Sequence, residues 1–598
     1  MGWAFVIAWI FLLTAAVCWP LFIPYPATAE LTGPPMFVLR DMVIAPHPPL
    51  TDATLGLGEA AARAVPQDTA LWALGYFVDA AHWVRFLMVG ACILGGLAAA
   101  ELARTLSSSG TARNGAPRHG NARHGAGVVG QFVAPTMLLW NPFVVERLLQ
   151  GQWSLVLAAL LLPVVVLTVR QGWVLWRTSA MAVAALTPTG ALLAAVVALV
   201  SARNNRDRAW IGLTALLCSA PWLVATTTNF AAAAAADRAG AAAFAARAEN
   251  HVGTLGALLG LGGIWNQQAV PASREIGVSA LMVVALLALF ALGWSRVWQS
   301  WSRLIVLAAS AIAAIALAAT PWGIALMGWL QTVPGGGLLR DTQKWVALAL
   351  PAYVLLAAAG ADYLAVRARA TAQVRQRRIG SVLAAVVSVL VIVSAVPTLP
   401  RDLAPLRPVP SWPGWSAVSG VMAIDGHAVA VLPAGSYRLI NGRPALDPAL
   451  KILPNPVINS GELVVSGRAV SGEGSATIER TLLDGAANAG EATHALNTLR
   501  HHGVGWVLAE NSPGNFGASV QLLGYLDLVY ADEHLQLYHV PGAIERPEGP
   551  SQGAYLAAWL AFLVWVSCVF SGVLFELGRS LAAGSGRSGL ISAGTASR

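Results

Sequence analysis

Stretches of about twenty apolar residues recur along this chain, each long enough to cross the hydrocarbon core of a bilayer as a helix. They lie near Trp3 to Pro24, Val84 to Ala103, Gly127 to Trp140, Trp153 to Val169, Trp210 to Thr226, Ile276 to Trp294, Leu304 to Thr320, Trp345 to Val366, Ile379 to Val396 and Tyr555 to Leu577. That makes about ten expected crossings. Only 11% of the 598 residues are charged and 56% are hydrophobic, whereas about a quarter of the residues in a soluble globule are charged. The expected class is therefore mainly α, multi-pass transmembrane helical.

The arginines sit between these runs. Arg104 to Arg123, Arg170 to Arg177, Arg203 to Arg208, Arg296 to Arg303, Arg367 to Arg378 and Arg579 to Arg598 read as cytoplasmic by the positive-inside rule, which puts both termini in the cytoplasm. The same rule accounts for the net charge of +8 without nucleic acid as a partner. One stretch, Ala180 to Ser201, has basic clusters on both flanks, so a single crossing would violate the rule. A break at Thr187-Pro188-Thr189-Gly190 resolves this if the stretch enters and returns on one side. The first apolar run is followed by Ala27-Thr28-Ala29, which resembles a signal-peptidase site. Its length and lack of a basic start favour a retained helix.

The four cysteines, Cys18, Cys92, Cys218 and Cys568, lie inside the apolar runs without CxxC spacing, so no metal site, redox motif or disulfide framework is expected. No cofactor is expected either. With this topology residues 1–399 form a membrane core with exoplasmic loops at 25–82, 229–275 and 321–343. Residues 400–553 form an exoplasmic α/β domain, and 554–598 the last helix and a cytoplasmic tail. Within the first loop, Asp68 to Trp83 has apolar residues at helical spacing, as in a helix lying on a membrane, and the loop also carries Glu59. The second loop, with Asp237, Arg238, Arg247 and Glu249, is expected to hold another surface helix before a flexible turn. In the 400–553 segment, Ala428 to Leu432 and Gly505 to Ala509 read as buried strands, Ala492 to His501 as a helix, and Leu526 to Val540 as a hairpin. Its histidines, His501, His502, His534 and His539, lack metal-ligand spacing.

Polar chemistry must gather on the loop side, and the segment LRDTQKW, Leu339 to Trp345, is its most informative part. Of 37 Lys plus Arg, only Lys344 and Lys451 are lysines. A lysine kept against that bias offers a compact ammonium that arginine does not reproduce. Gly335, Gly336 and Gly337 before it free the backbone for close approach to a ligand. Arg340 and Lys344 together suit an anion at the membrane surface, although snorkelling anchors at a helix end use the same residues. The short turn Asn141 to Trp153 adds Glu146 and Arg147, which are placed to pair with one another.

The arrangement resembles the GT-C class of membrane glycosyltransferases: a first helix, a long exoplasmic loop with an early Asp, surface helices, many spans and a terminal α/β domain. LRDTQKW resembles the LRNVHKF-type segment before a late span in large mycobacterial arabinofuranosyltransferases. Leu339, Arg340 and Lys344 match in position, while Asp341, Thr342, Gln343 and Trp345 depart. The string from Leu499 to Val540 also resembles the soluble domain of several actinobacterial membrane proteins. The likeness implies a polyprenyl-phosphate sugar donor, mannose or arabinofuranose, a glycan or glycolipid acceptor of the cell envelope, and a site on the exoplasmic side of the plasma membrane. It also implies that an Asp of the first loop acts as base, which by position is Asp41.

The chemistry stands beside the likeness. A lipid-phosphate sugar presents phosphate at headgroup level and sugar in water, so cations are needed at the interface and a carboxylate just above it. Arg340 and Lys344 supply the first and Asp41 the second, in an inverting transfer that needs no metal. A local ion pair of Asp41 with Arg40 is the structural alternative, and Asp52 is the next candidate base. Arg40, His47, Glu146, Arg147, Trp265, Asn266, Asp341 and Gln343 are candidate substrate-lining residues. A secondary transporter built around the Pro188 break, or a scaffold in envelope assembly, are the competing functional classes.

Overall fold

The computed structural model describes residues 2–28, 31–57, 64–112, 128–228, 239–275, 278–333, 335–370, 377–422, 425–458, 463–465, 468–470, 476–546 and 549–591. Ala29, Glu59, Asp237 and Arg238, residues 113–127 and 371–376 of two arginine clusters, and the side chains beyond Glu576 lie outside this set.

Among the described residues, eight helices are long and apolar enough to cross a membrane: Gly2–Phe22, Ala80–Leu106, Val128–Leu149, Trp153–Gln171, Asn205–Thr228, Leu281–Ala318, Gln343–Ala370 and Gln552–Glu576. The number falls short of the ten runs for two reasons. The runs at 276–294 and 304–320 form two helices that join directly at Trp301 (φ −138°, ψ 25°), so that Leu281–Ala318 counts once. Trp301 is buried beneath the Arg170 guanidinium, 4.4 Å from its ring centre, so the expected connection is a kink. The run at 379–396 forms Arg377–Val393, only 17 residues long. Helices Val278–Ala318 and Leu350–Ala370 meet backbone to backbone. A Cβ on Gly360 would lie 2.0 Å from the Leu289 carbonyl oxygen and one on Gly293 2.5 Å from that of Leu356, the small-residue contact that helices need in the absence of a hydrophobic drive.

The stretch around Pro188 breaks into Val174–Ala184 and Pro188–Ser201, with Pro188 in the first turn of the second helix, where its missing N–H costs nothing. The two basic flanks meet: Arg177 pairs with Asp207 at 2.7 Å, and Arg303 donates to the Ala202 carbonyl. The pair of helices therefore leaves and returns at one end of the bundle.

At the opposite end from this ion pair, loop and C-terminal residues fold together. The sequence reading placed no strand in the first loop, yet Pro35–Leu39 and Met42–Ile44 pair antiparallel, and Pro35–Leu39 also pairs with Val409–Pro410. The expected surface helix at 68–83 is instead Gln67–Gly75. The chain then breaks, because Asp79 caps the next helix by accepting the Ala81 N–H at 2.6 Å. Tyr76 and Phe77 at the break are 75% and 80% exposed.

The C-terminal unit has a five-stranded sheet in the order Asp527–Ala531, Leu535–His539, Val504–Glu510, Ala428–Leu432, Val457–Ile458. Strands 504–510 and 428–432 are parallel, and the 527–539 pair is a hairpin. Alternation assigns the two faces. Ala430, Leu432, Val507 and Ala509 pack on helices Ala476–Asp484 and Ala489–His501 through Ile478, Leu482, Ala495 and Leu499. Val429, Val431, Trp506 and Leu508 share a core with Met36, Val38 and Val43 of the first loop. One face of the sheet thus fixes the hairpin that carries Asp41. An ion pair between Lys451 and Asp68 ties the two regions a second time.

Candidate active site

Asp41 lies in the two-residue turn between Pro35–Leu39 and Met42–Ile44, where Leu39 faces Met42. Its partner in the turn, Arg40, has φ +48°, a conformation that a side chain occupies only when its surroundings hold it. They do. The Arg40 N–H donates to the Pro444 carbonyl at 2.8 Å, its own carbonyl accepts from Leu446 N–H at 2.9 Å, and its guanidinium donates to the carbonyls of Leu149 and Gln268. Arg40 is thus buried and turned away. Its guanidinium donates to backbone carbonyls and not to the Asp41 carboxylate, while remaining near enough to Asp41 and Tyr437 to feel their charge.

The Asp41 side chain is exposed and accepts three hydrogen bonds. Tyr437, from the C-terminal unit, donates its hydroxyl to Oδ1, while Gln152 and Gln150 donate to Oδ2 at 3.1 and 3.4 Å. The two glutamines flank Gly151, which joins helix Pro142–Leu149 to helix Trp153–Gln171. A Cβ on Gly151 would stand 2.3 Å from the Met42 nitrogen and 2.5 Å from the Leu39 carbonyl oxygen, and φ is +87°. Only glycine lets the Asp41 turn rest on this helix connection.

From Gln152 the contacts continue. Its Oε1 accepts from Arg147 Nη1 at 2.8 Å, and the buried Arg147 guanidinium grips Asp341 with both arms and also donates to Gln343 Oε1. Asp341 and Gln343 belong to LRDTQKW, so that segment and the Asp41 turn share one chain of polar contacts. Burial opposes ionisation of Asp341, but the Arg147 guanidinium, with Lys344's charge and backbone N–H, outweighs it and holds the carboxyl below its ordinary value. The Gln343 amide donates on to the Gly262 carbonyl at 3.0 Å. Arg340 and Lys344 flank these two. Arg340 lies over the Phe244 ring at 4.2 Å, and Lys344 stands 5.7 Å from the ring of Trp345. Phe244 in turn meets Trp265 edge to face at 4.6 Å. Asn266 donates to Gln150 Oε1 at 2.7 Å, which ties the 259–266 loop to the Asp41 turn.

Several sequence expectations change. Glu146 does not pair with Arg147. Adjacent residues on a helix point about 100° apart, and Glu146 faces a fully buried cluster in which its Oε2 accepts from Ile264 N–H at 3.2 Å beside the Glu249–Arg274 ion pair. His47 is exposed and bonded to the Gly75 carbonyl at 3.2 Å, beside the Gln67–Gly75 helix. Asp52, the alternative base, starts a separate helical turn and accepts the Tyr555 hydroxyl at 2.6 Å. In the glycine triplet, close approach is internal: a Cβ on Gly336 would lie 1.9 Å from the chain's own Leu330 carbonyl oxygen, and Gly335 takes φ +81°. Tyr437, Gln150, Gln152 and Phe244 had not been singled out. The Gln-Gly-Gln spacing was the available signal for the two amides, whereas nothing near Tyr437 in the sequence points to residue 41.

Fold and site together define a mostly helical protein with, among the described residues, eight helices of membrane-crossing length, a sheet-containing C-terminal unit, and a carboxylate-centred polar cluster where the two meet. No protein-family model matches the sequence, and no curated protein matches it.

Proposed function

We propose that this chain is a multi-pass membrane glycosyltransferase that moves a sugar from a polyprenyl-phosphate donor to a cell-envelope glycan or glycolipid on the exoplasmic side of the plasma membrane. Asp41 takes the proton of the acceptor hydroxyl as its oxygen attacks the anomeric carbon. The bond from that carbon to the phosphate oxygen breaks, and the phosphate departs with the electron pair, stabilised by Arg340 and Lys344. Attack from the face opposite the leaving group inverts the anomeric centre. Both termini are cytoplasmic in this reading, since the Arg177 and Asp207 end of the bundle carries the arginine-rich loops.

The observation that carries the reading is the run Asp41, Gln152, Arg147, Asp341. It joins the exposed carboxylate to the segment bearing Arg340 and Lys344, as a reaction with its base above the headgroups and its cations among them requires. The transport alternative is not favoured, because residues 178–202 around the Pro188 break contain no ionisable side chain. The decisive experiment reconstitutes the purified protein in liposomes with polyprenyl-phosphate mannose or arabinofuranose and a glycan acceptor. Transfer with inversion supports the reading. Copurification of ordinary phospholipid alone, with no transfer or hydrolysis of either donor, overturns it.

A further inference from the structure

We propose that Tyr437 is a positioning residue that responds to the proton on Asp41, so that the C-terminal unit completes the site. The inference rests on the reading of Asp41 as the base. A carboxylate offers about four acceptor positions. Among the described residues three are taken: one on Oδ1 by Tyr437 and two on Oδ2 by Gln150 and Gln152. The position left is on Oδ1, beside the Tyr437 hydroxyl, and the acceptor's proton arrives there.

The three partners differ in what happens next. Gln150 Oε1 is occupied by Asn266 Nδ2 at 2.7 Å, and Gln152 Oε1 by Arg147 Nη1 at 2.8 Å. Both amides are therefore locked with their NH₂ groups toward Oδ2, which accepts from them as a carboxylate oxygen and as the carbonyl oxygen of the acid. Tyr437 donates instead to Oδ1, the oxygen that takes the proton. When the acceptor proton moves to the second position on Oδ1, that oxygen becomes the hydroxyl of the acid, a poorer acceptor than a carboxylate oxygen, and the Tyr437 bond is the one of the three that weakens. No electron transfer and no further reactant enter this step.

Tyr437 is held for the purpose. It starts the strand Tyr437–Ile440, where it faces Leu446, and the Leu446 N–H donates to the Arg40 carbonyl in the Asp41 turn. The next side chain, Arg438, points the other way and is fully buried against Asp447 at 2.7 Å and Glu510 at 3.3 Å.

The test compares Tyr437→Phe with a fluorinated tyrosine placed at 437 by stop-codon suppression, each in the full chain reconstituted in liposomes. Without the donor to Oδ1 the acid limb of the pH–rate profile should move to higher pH. The more acidic fluorophenol should move it down. Profiles that superimpose on wild type in both variants overturn the proposal, because a packing role would alter stability alone. If wild type transfers no sugar, the transferase reading has failed, and a thermal double-mutant cycle of Tyr437→Phe with Asp41→Asn decides the contact. Coupled losses support it and additive losses overturn it.

Discussion

Arg147 and Asp341, 194 positions apart, close a two-armed ion pair in which Nη2 lies 2.9 Å from Oδ1. The Arg147 side chain is fully buried and that of Asp341 13% exposed, so neither charge has water in place of its partner. Removing one partner of such a pair costs about 3–5 kcal/mol. Arg147→Ala should lower the melting temperature and loosen the LRDTQKW segment. Arg147→Lys should fold but lose most transfer, since an ammonium has no planar fork to hold both Asp341 oxygens together with Gln343 and Gln152. Wild-type turnover in the lysine variant would show that the forked geometry is dispensable.

The same pair sets an acid limit. Asp341 holds its proton less tightly in the folded protein than in the unfolded chain. Its stabilisation is therefore complete above about pH 4, the ordinary carboxyl range, and fades as the pH falls through the lower folded value. Asp341→Asn should flatten the acid side of a plot of melting temperature against pH. An unchanged acid side would mean that other carboxylates dominate there.

Asp41→Asn should keep the fold, because its amide oxygen still accepts from the two glutamines while its NH₂ donates to the Tyr437 hydroxyl, but lower transfer by about 10²- to 10⁴-fold, the usual worth of a general base. Asp52→Asn is the matched comparison. It disturbs only the Tyr555 contact, so turnover should hold while stability dips. A transfer assay that reverses this order would move the base to Asp52.

Arg340→Ala and Lys344→Ala should each weaken donor binding about ten- to a hundredfold, the loss expected for one charge-assisted contact to phosphate. Phe244→Ala should act in the same direction but less, through the 4.2 Å stacking that holds the Arg340 guanidinium. Equal affinity for a polyprenyl-phosphate sugar in all three variants would reduce the segment to an interfacial anchor.

Apolar periodicity made the helical bulk of the chain legible, and turn chemistry made the 527–539 hairpin and the break at Pro188 legible as well. Run length could not tell a loop from a kink at Trp301, because the deciding contact comes from Arg170, far off in sequence. Asp41 and LRDTQKW stood out by residue type and place. Their connection did not, since it runs through Gln152, which reads as ordinary loop polarity, and Arg147, which reads as a substrate-lining residue or a partner of Glu146, until the fold brings residue 41 to Gly151. The local pairings suggested by adjacency, Glu146 with Arg147 and Arg40 with Asp41, failed for one reason. Neighbouring side chains diverge, and each found its partner on another element.

The last prediction concerns the buried cluster behind Tyr437. Burial, and then the neighbouring Asp447 carboxylate, push Glu510 well above the ordinary glutamate range, with Arg438 only partly offsetting them. A carboxyl whose folded value is raised holds its proton more tightly in the folded state. Its contribution is thus present below the unfolded value of about 4.3 and is lost as the pH climbs toward the raised one. Glu510→Gln keeps the shape without the ionisation, so its stability should no longer fall over that interval. Because Arg438 adjoins Tyr437 on one strand, loss of the cluster in wild type should also free the tyrosine from Asp41. The measurement is amide hydrogen exchange of residues 437–446 as a function of pH in wild type and Glu510→Gln. Exchange that rises with pH, beyond its intrinsic dependence, in wild type alone is expected. Identical curves would show that Glu510 ionises without consequence for the strand.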